Sequence, residues 1–340
     1  MTSMMSTEAQ EAPQAVARLL AADAAVYGAL AARWQATPPQ GLLTLARGSS
    51  DHAAHYMAYL AMAGLGRLVT SLPMSLLTLH GTRFAGQQLG ALAFSQSGQS
   101  PDLVEPLAAL RAGGADTVAL VNNTASPLAQ AADWLLPLHA GPERSVAATK
   151  SFIAQLVAGA RLVAAWSDNG PLAAALALLP AVLERAAAQG WARAVDMLQG
   201  ADSLFVISRG AGMAVAQEAA LKFKETCGIH AEAFSSAEVQ HGPMALVTPG
   251  FPLLILAPRG PALSGLLALA ETMRQRGARV LLAAPGGTPG AELQLVQAGD
   301  EQLDPISAVQ SFYPLVEALS RARGFDPDQP RHLAKVTRTL

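Results

Sequence analysis

Residues 42–50 read LLTLARGSS, an apolar run closed by Arg-Gly and small polar residues, and residues 204–212 repeat the pattern as LFVISRGAG. Arg47 and Arg209 are 162 positions apart. A second run, LGALAFSQSG from Leu89, has its counterpart in FPLLILAPRG from Phe251, again at 162. A third, DTVALVNN from Asp116, aligns with ARVLLAAP from Ala278 at the same spacing. Three runs at one offset indicate a tandem duplication, because repetition at a fixed period marks a repeated structural unit. In each copy a short apolar run leads through a Gly or Ser turn into an Ala- and Leu-rich helical stretch. Residues 102–111 carry Leu103, Leu107 and Leu110 at helical spacing, and Ala-Gly-Gly follows as a stop. Apolar runs alternating with helices predict parallel strands buried on both faces. Each copy is therefore expected to be an α/β domain, a doubly wound parallel sheet with helices on both faces.

Around the two copies the chain divides as an N-terminal helical segment (1–40), a first domain (41–170), a helical linker (171–200), a second domain (201–326) and a tail (327–340). The helical stretches fall at 14–35 and 171–200, and the tail holds Pro327, Pro330 and a basic run from Arg331. The 340 residues are 51% hydrophobic and 14% charged, a composition that excludes a disordered or fibrous chain. A formal net charge of −2 gives no basic footprint for nucleic acid. No apolar run reaches eighteen residues, and the greasiest stretch, 172–183, is cut by Pro180, so no membrane span is expected. The first residues lack the cationic and apolar regions of a secretory signal. A lone cysteine, Cys227, fits a reducing, cytoplasmic setting.

Four segments can carry chemistry. SQSGQSPD, residues 95–102, follows a strand-like run and opens a helix with Pro101 in its first turn. Its three serines and the free N–H groups of a helix start make a phosphate cradle, although a plain capping turn reads the same. The second copy has APRGPA there, stripped of hydroxyls, which points to one copy specialised for an anion. Ser50 lies in the Gly-Ser turn after the neighbouring strand, which reads equally as a plain tight turn or as a place to share that ligand, since adjacent strand ends converge on one crevice. Glu218, Lys222 and Glu225 sit at i, i+4 and i+7 of one helix, a face suited either to solvation or to proton transfer beside a carbonyl. His241 precedes Gly242–Pro243 on a loop or helix end, as an ordinary surface histidine would. The remaining histidines show no ligand spacing, so no metal and no cofactor are expected.

Taken together, RGSSDHAA, SQSGQSPD, SVAATKSF, QEAALKFKETCGIHAEAFSSAEVQHGPMAL and DPDQPRHLAKVT resemble the SIS (sugar isomerase) family. Within it they are most similar to the isomerase half of the glutamine–fructose-6-phosphate aminotransferases. The resemblance implies two flavodoxin-like SIS domains and a homodimer with its active site near the subunit interface. It assigns Ser95, Gln96, Ser97 and Ser100 to the sugar phosphate and Ser50 to the sugar. It makes Glu225 the base moving a proton between C1 and C2, with Lys222 and Glu218 as its helix neighbours. His241 matches the group that opens the sugar ring, supplied by the partner subunit in the family, and Lys335 matches a C-terminal lysine that meets the substrate carbonyl. Two positions depart from the family: Gln99 where an acid is usual and Pro101 where alanine is usual. Neither removes a phosphate donor.

About forty residues precede the first strand, too few for the glutaminase domain of those synthases. The expectation is therefore the reverse reaction, a deaminase taking glucosamine 6-phosphate and water to fructose 6-phosphate and ammonia. A fructosamine-phosphate deglycase, an aldose–ketose phosphosugar isomerase and a non-catalytic sugar-phosphate sensor are the alternatives. The expected ligand is a hexose 6-phosphate or amino-sugar 6-phosphate.

Overall fold

A computed structural model describes residues 2–335, which divide into two compact units. The N-terminal unit comprises 14–143, 150–177 and, from the tail, Ala334 and Lys335; the C-terminal unit comprises 2–13, 144–149 and 178–333.

The chain opens with α1 (Met4–Gln10), α2 (Ala12–Ala21) and α3 (Ala24–Ala36). Next come β1 (Gly41–Leu45), α4 (Ser49–Leu65), β2 (Val69–Ser71), α5 (Ser75–Thr78) and β3 (Leu89–Ser95). The N-terminal unit continues with α6 (Pro101–Ala112), β4 (Asp116–Val121), α7 (Pro127–Ala131), β5 (Trp134–Pro137), α8 (Lys150–Trp166) and α9 (Gly170–Ala177). Its sheet is parallel in the order β2-β1-β3-β4-β5. Because successive side chains alternate faces, Leu45, Ala91, Ala93, Ala119 and Val121 meet Leu103, Leu107 and Leu110 of α6, while α4 packs the other face beside α8. The helix pair closes at Gly159, where an added Cβ would lie 2.8 Å from the Met57 Cβ. At that separation any side chain would push α8 off α4.

The C-terminal unit holds α10 (Leu179–Ala187), α11 (Ala192–Leu198), β6 (Ser203–Ser208), α12 (Gly212–Cys227), β7 (His230–Ser235) and β8 (Pro252–Leu256). It ends with α13 (Leu263–Gln275), β9 (Arg279–Pro285), β10 (Leu293–Leu295) and the long α14 (Asp304–Ala322). Its parallel sheet runs β7-β6-β8-β9-β10, the same order as the first when matched strand for strand. Phe205, Ile207, Leu253, Ile255, Val280 and Leu282 pack on Leu266, Leu269, Ala270 and Met273 of α13; α12 lies along β6, β7 and α14.

Register makes the duplication exact in four places and corrects it in one. Leu42 pairs with Val69 and Leu43 with Ala91; Leu204 pairs with Ala231 and Phe205 with Leu253, each 162 residues later. Asp116 faces Gly90, whereas Arg279, not Ala278, faces Pro252. The third strand is thus offset by 163. The spacing of 162 read from the sequence is one residue short there, because the segment between β8 and β9 is one residue longer than its counterpart.

Candidate active site

In the N-terminal unit the strand order reverses between β1 and β3, and the turns beyond their carboxyl ends flank the crevice where such sheets take ligands. Ser50 lies in the first turn of α4 after β1, and its Oγ accepts from Gln155 Nε2 at 3.0 Å. The turn after β3 runs from Ser95 to Ser100. Ser95 Oγ accepts from Gly98 N at 3.0 Å, Ser97 Oγ accepts from Gln99 N at 3.3 Å, and the Gln96 carbonyl accepts from Asn122 N at 3.3 Å. Gly98 has φ +64°, and a Cβ there would lie 2.1 Å from Ser126 Oγ, so only glycine fits. Ser100 occupies the N-cap of α6, yet its hydroxyl caps nothing, and Pro101 follows in the first turn. The N–H groups of Leu103 and Val104 donate to the Ser100 carbonyl, so at this helix start it is the Ser100 hydroxyl that stays available for an anion, which a helix N-terminus favours. Arg47, from the β1 turn, holds Asp102 of α6 at 3.1 Å and ties the two turns together.

The equivalent turn after β8 is already filled. Arg259, 162 positions beyond Ser97, donates Nε and Nη2 to the buried Asp304 at 2.7 and 2.8 Å. Ala257 and Ala262 stand in the places of Ser95 and Ser100. An ion pair within the protein takes the space where a hydroxyl-lined turn would receive an anion.

Specialisation runs the other way on the helices. On α12, Lys222 Nζ lies 3.3 Å from Glu218 Oε1 and hydrogen-bonds Glu225 Oε2. The side chains of Glu218 and Lys222 are 0% and 1% exposed and that of Glu225 is 19% exposed. This is no solvated helix face, since Glu218 and Lys222 are both buried; another side of α12 meets α14, with Phe223 edge-on to Phe312 at 5.2 Å. Burial pushes the Lys222 ammonium down, but the charges of Glu218 and then Glu225 more than offset this and raise its pKa to about 12. Lys222 is therefore a fixed cation at neutral pH. The positions 162 residues earlier, on α4, are Tyr56, Leu60 and Ala63, none of them ionised. Glu225 also lines a pocket of about 470 Å³, with Lys224 beside it and Phe325, Arg331 and Leu333 from the tail opposite.

His241 ends a single 3-10 turn, 238–241, on an exposed stretch after β7. Its side chain makes no hydrogen bond or ion pair among the described residues. Lys335 belongs to the N-terminal unit, where Nζ lies 3.2 Å from Glu143 Oε2. Glu143 was not singled out in the sequence. Nothing marks it there, since its role comes from a contact 192 residues away. The phosphate turn with Ser50 and Lys335 thus lies in one unit, and the Glu218–Lys222–Glu225 set with His241 in the other. Among the described residues no group of three His, Cys, Asp or Glu side chains is placed to hold a metal ion, and no single helix is long and apolar enough to cross a membrane.

A sequence profile of the SIS domain matches residues 39–165 and 197–284. The chain belongs to the SIS domain family. It is 42% identical over 264 residues to the glutamine–fructose-6-phosphate aminotransferase of Aeropyrum pernix, covering 72% of this chain and 42% of that protein. The chain spans about half or less of the length of such relatives, 42–51%. A crystal structure from Silicibacter pomeroyi, provisionally named a phosphosugar isomerase, is 42% identical, covers 96% of this chain and 100% of its own, and superposes with a TM-score of 0.91. The glucosamine-6-phosphate deaminase of Thermotoga maritima, at 20% identity, covers 99% of this chain and 100% of its own with a TM-score of 0.79, and shares the fold. The expected pair of α/β SIS domains is what the two sheets form.

Proposed function

We propose that the protein converts glucosamine 6-phosphate and water to fructose 6-phosphate and ammonia. The observation that carries this reading is the buried Lys222 clamped between Glu218 and Glu225, with Glu225 lining a pocket. A fixed cation beside a carboxylate suits proton transfer through an enolamine, because it stabilises negative charge that develops only during the transfer.

In the proposed sequence the 6-phosphate sits on the turn of Ser95, Gln96, Ser97 and Ser100, with Ser50 on the sugar. His241 assists ring opening, from the neighbouring protomer of a homodimer; its exposed place after β7 is compatible with that role. Glu225 takes the C2 proton of the open-chain amino-aldehyde and returns it to C1. The product of this transfer is a ketimine at C2, and water then expels ammonia and leaves the C2 ketone. Lys335 meets the carbonyl. Within these 340 residues the single cysteine is Cys227, buried against the Val316 carbonyl, with burial pushing its thiol up to about 11.

Glu225→Gln tests the reading. Turnover of glucosamine 6-phosphate should fall by about 10²- to 10⁴-fold, the usual contribution of a general base, while the ligand still raises the melting temperature. A wild-type protein that binds the sugar phosphate without turning it over would contradict the reading and leave the deglycase, isomerase and sensor alternatives.

A further inference from the structure

We infer that Glu143 is the positioning residue for Lys335; the inference rests on the proposed reaction, in which Lys335 meets the substrate carbonyl. No helix or strand lies between the end of α14 and Lys335, so no element fixes that ammonium. The tail is tied earlier. The Asp328 carboxylate accepts from Met4 N and Met5 N at 2.8 and 2.7 Å, and Arg331 lies over the Phe325 ring at 4.7 Å. Beyond those ties Lys335 finds Glu143, whose side chain is 0% exposed.

The carboxylate itself is rigid. Ser151, in the first turn of α8, donates its N–H to Oε1 at 3.1 Å and its hydroxyl to Oε2 at 2.5 Å, and the N-terminus of α8 favours a negative charge there. A long lysine side chain with a quarter of its surface exposed thus has its charged end set against a carboxylate anchored on a helix. Glu143 touches no reacting atom in this scheme. It acts by holding the Lys335 nitrogen in place, as alignment of a reacting group requires.

The test compares Glu143→Gln, Glu143→Asp, Lys335→Ala and the double variant Glu143→Gln/Lys335→Ala, using glucosamine 6-phosphate. A glutamine carbonyl can still accept from Ser151, so the helix start is kept. Glu143→Gln should lower kcat by about 10- to 100-fold with KM little changed, and Glu143→Asp should recover part of the loss. The double variant should be no slower than Lys335→Ala alone, since the two act as one unit. Independent losses that multiply, or an unchanged kcat in Glu143→Gln, would overturn the assignment. Tryptic cleavage after Lys335 gives a second readout that needs no activity. It should quicken about tenfold in Glu143→Gln while cleavage after Arg111, on α6, stays constant. If the wild type releases no ammonia, the proposed function fails, and the proteolysis alone decides the seat: an unchanged rate after Lys335 would refute it.

Discussion

An ammonium whose side chain is 1% exposed is tolerated only because two carboxylates face it. Lys222→Met should therefore cost about 3–5 kcal/mol, because it leaves Glu218 buried without its cation, and urea denaturation at pH 7 measures the loss. The alkaline limb of stability draws on three raised groups, Lys222, Cys227 and the buried Tyr27. Lys222 stands at about 12 against 10.5 and Cys227 at about 11 against 9.0. Each group holds its proton more tightly when folded. Its contribution is complete below the ordinary value and is lost as pH rises through the folded value. Unfolding free energy should fall between pH 9 and 12, by about 1.4 kcal/mol per group per pH unit in its own window, and Cys227→Ala should flatten the part between 9 and 11. A flat profile for the wild type would contradict these assignments. At this scale the sequence showed which side chains share a helix face but not that the face is dry. Dryness comes from tertiary packing, and no spacing within α12 reports it.

Among the elements, the turns after β3 and β8 make a natural pair of experiments. Gly98→Ala places a Cβ against Ser126 Oγ at a left-handed backbone position. It should abolish the phosphate-dependent rise in melting temperature and cost about 1–3 kcal/mol of stability. Arg259→Ala strips the buried Asp304 of its guanidinium partner and should cost about 2–4 kcal/mol with phosphate binding unchanged. Loss of phosphate binding in Arg259→Ala would mean that the second turn still serves the ligand. Strands and helices were legible because apolar runs, Gly and Ser turns and Pro101 punctuate the chain. The one-residue slip at β9 was not. Strands such as β4 and β9 are buried on both faces, so they carry no alternation, and sliding such a run by one position leaves an equally apolar match.

Across the whole molecule, one copy has a hydroxyl-lined turn and the uncharged Tyr56, Leu60 and Ala63 on its long helix, while the other has the buried Glu218–Lys222–Glu225 set and an Arg259–Asp304 ion pair at its turn. The duplication, read from Arg47 and Arg209 outward, therefore reported the fold and the division of labour together. The tail stayed illegible, because residues with no periodicity take their meaning from distant partners: Lys335 from Glu143, Asp328 from the start of α1. The central claim is that this division of labour serves the deamination of an amino-sugar phosphate. It is tested most directly by incubating the purified protein with glucosamine 6-phosphate and assaying ammonia and fructose 6-phosphate in parallel. Equal amounts of both, lost in Glu225→Gln, are the result expected here; fructose 6-phosphate and ammonia both absent, with hexose phosphates still raising the melting temperature, would contradict it.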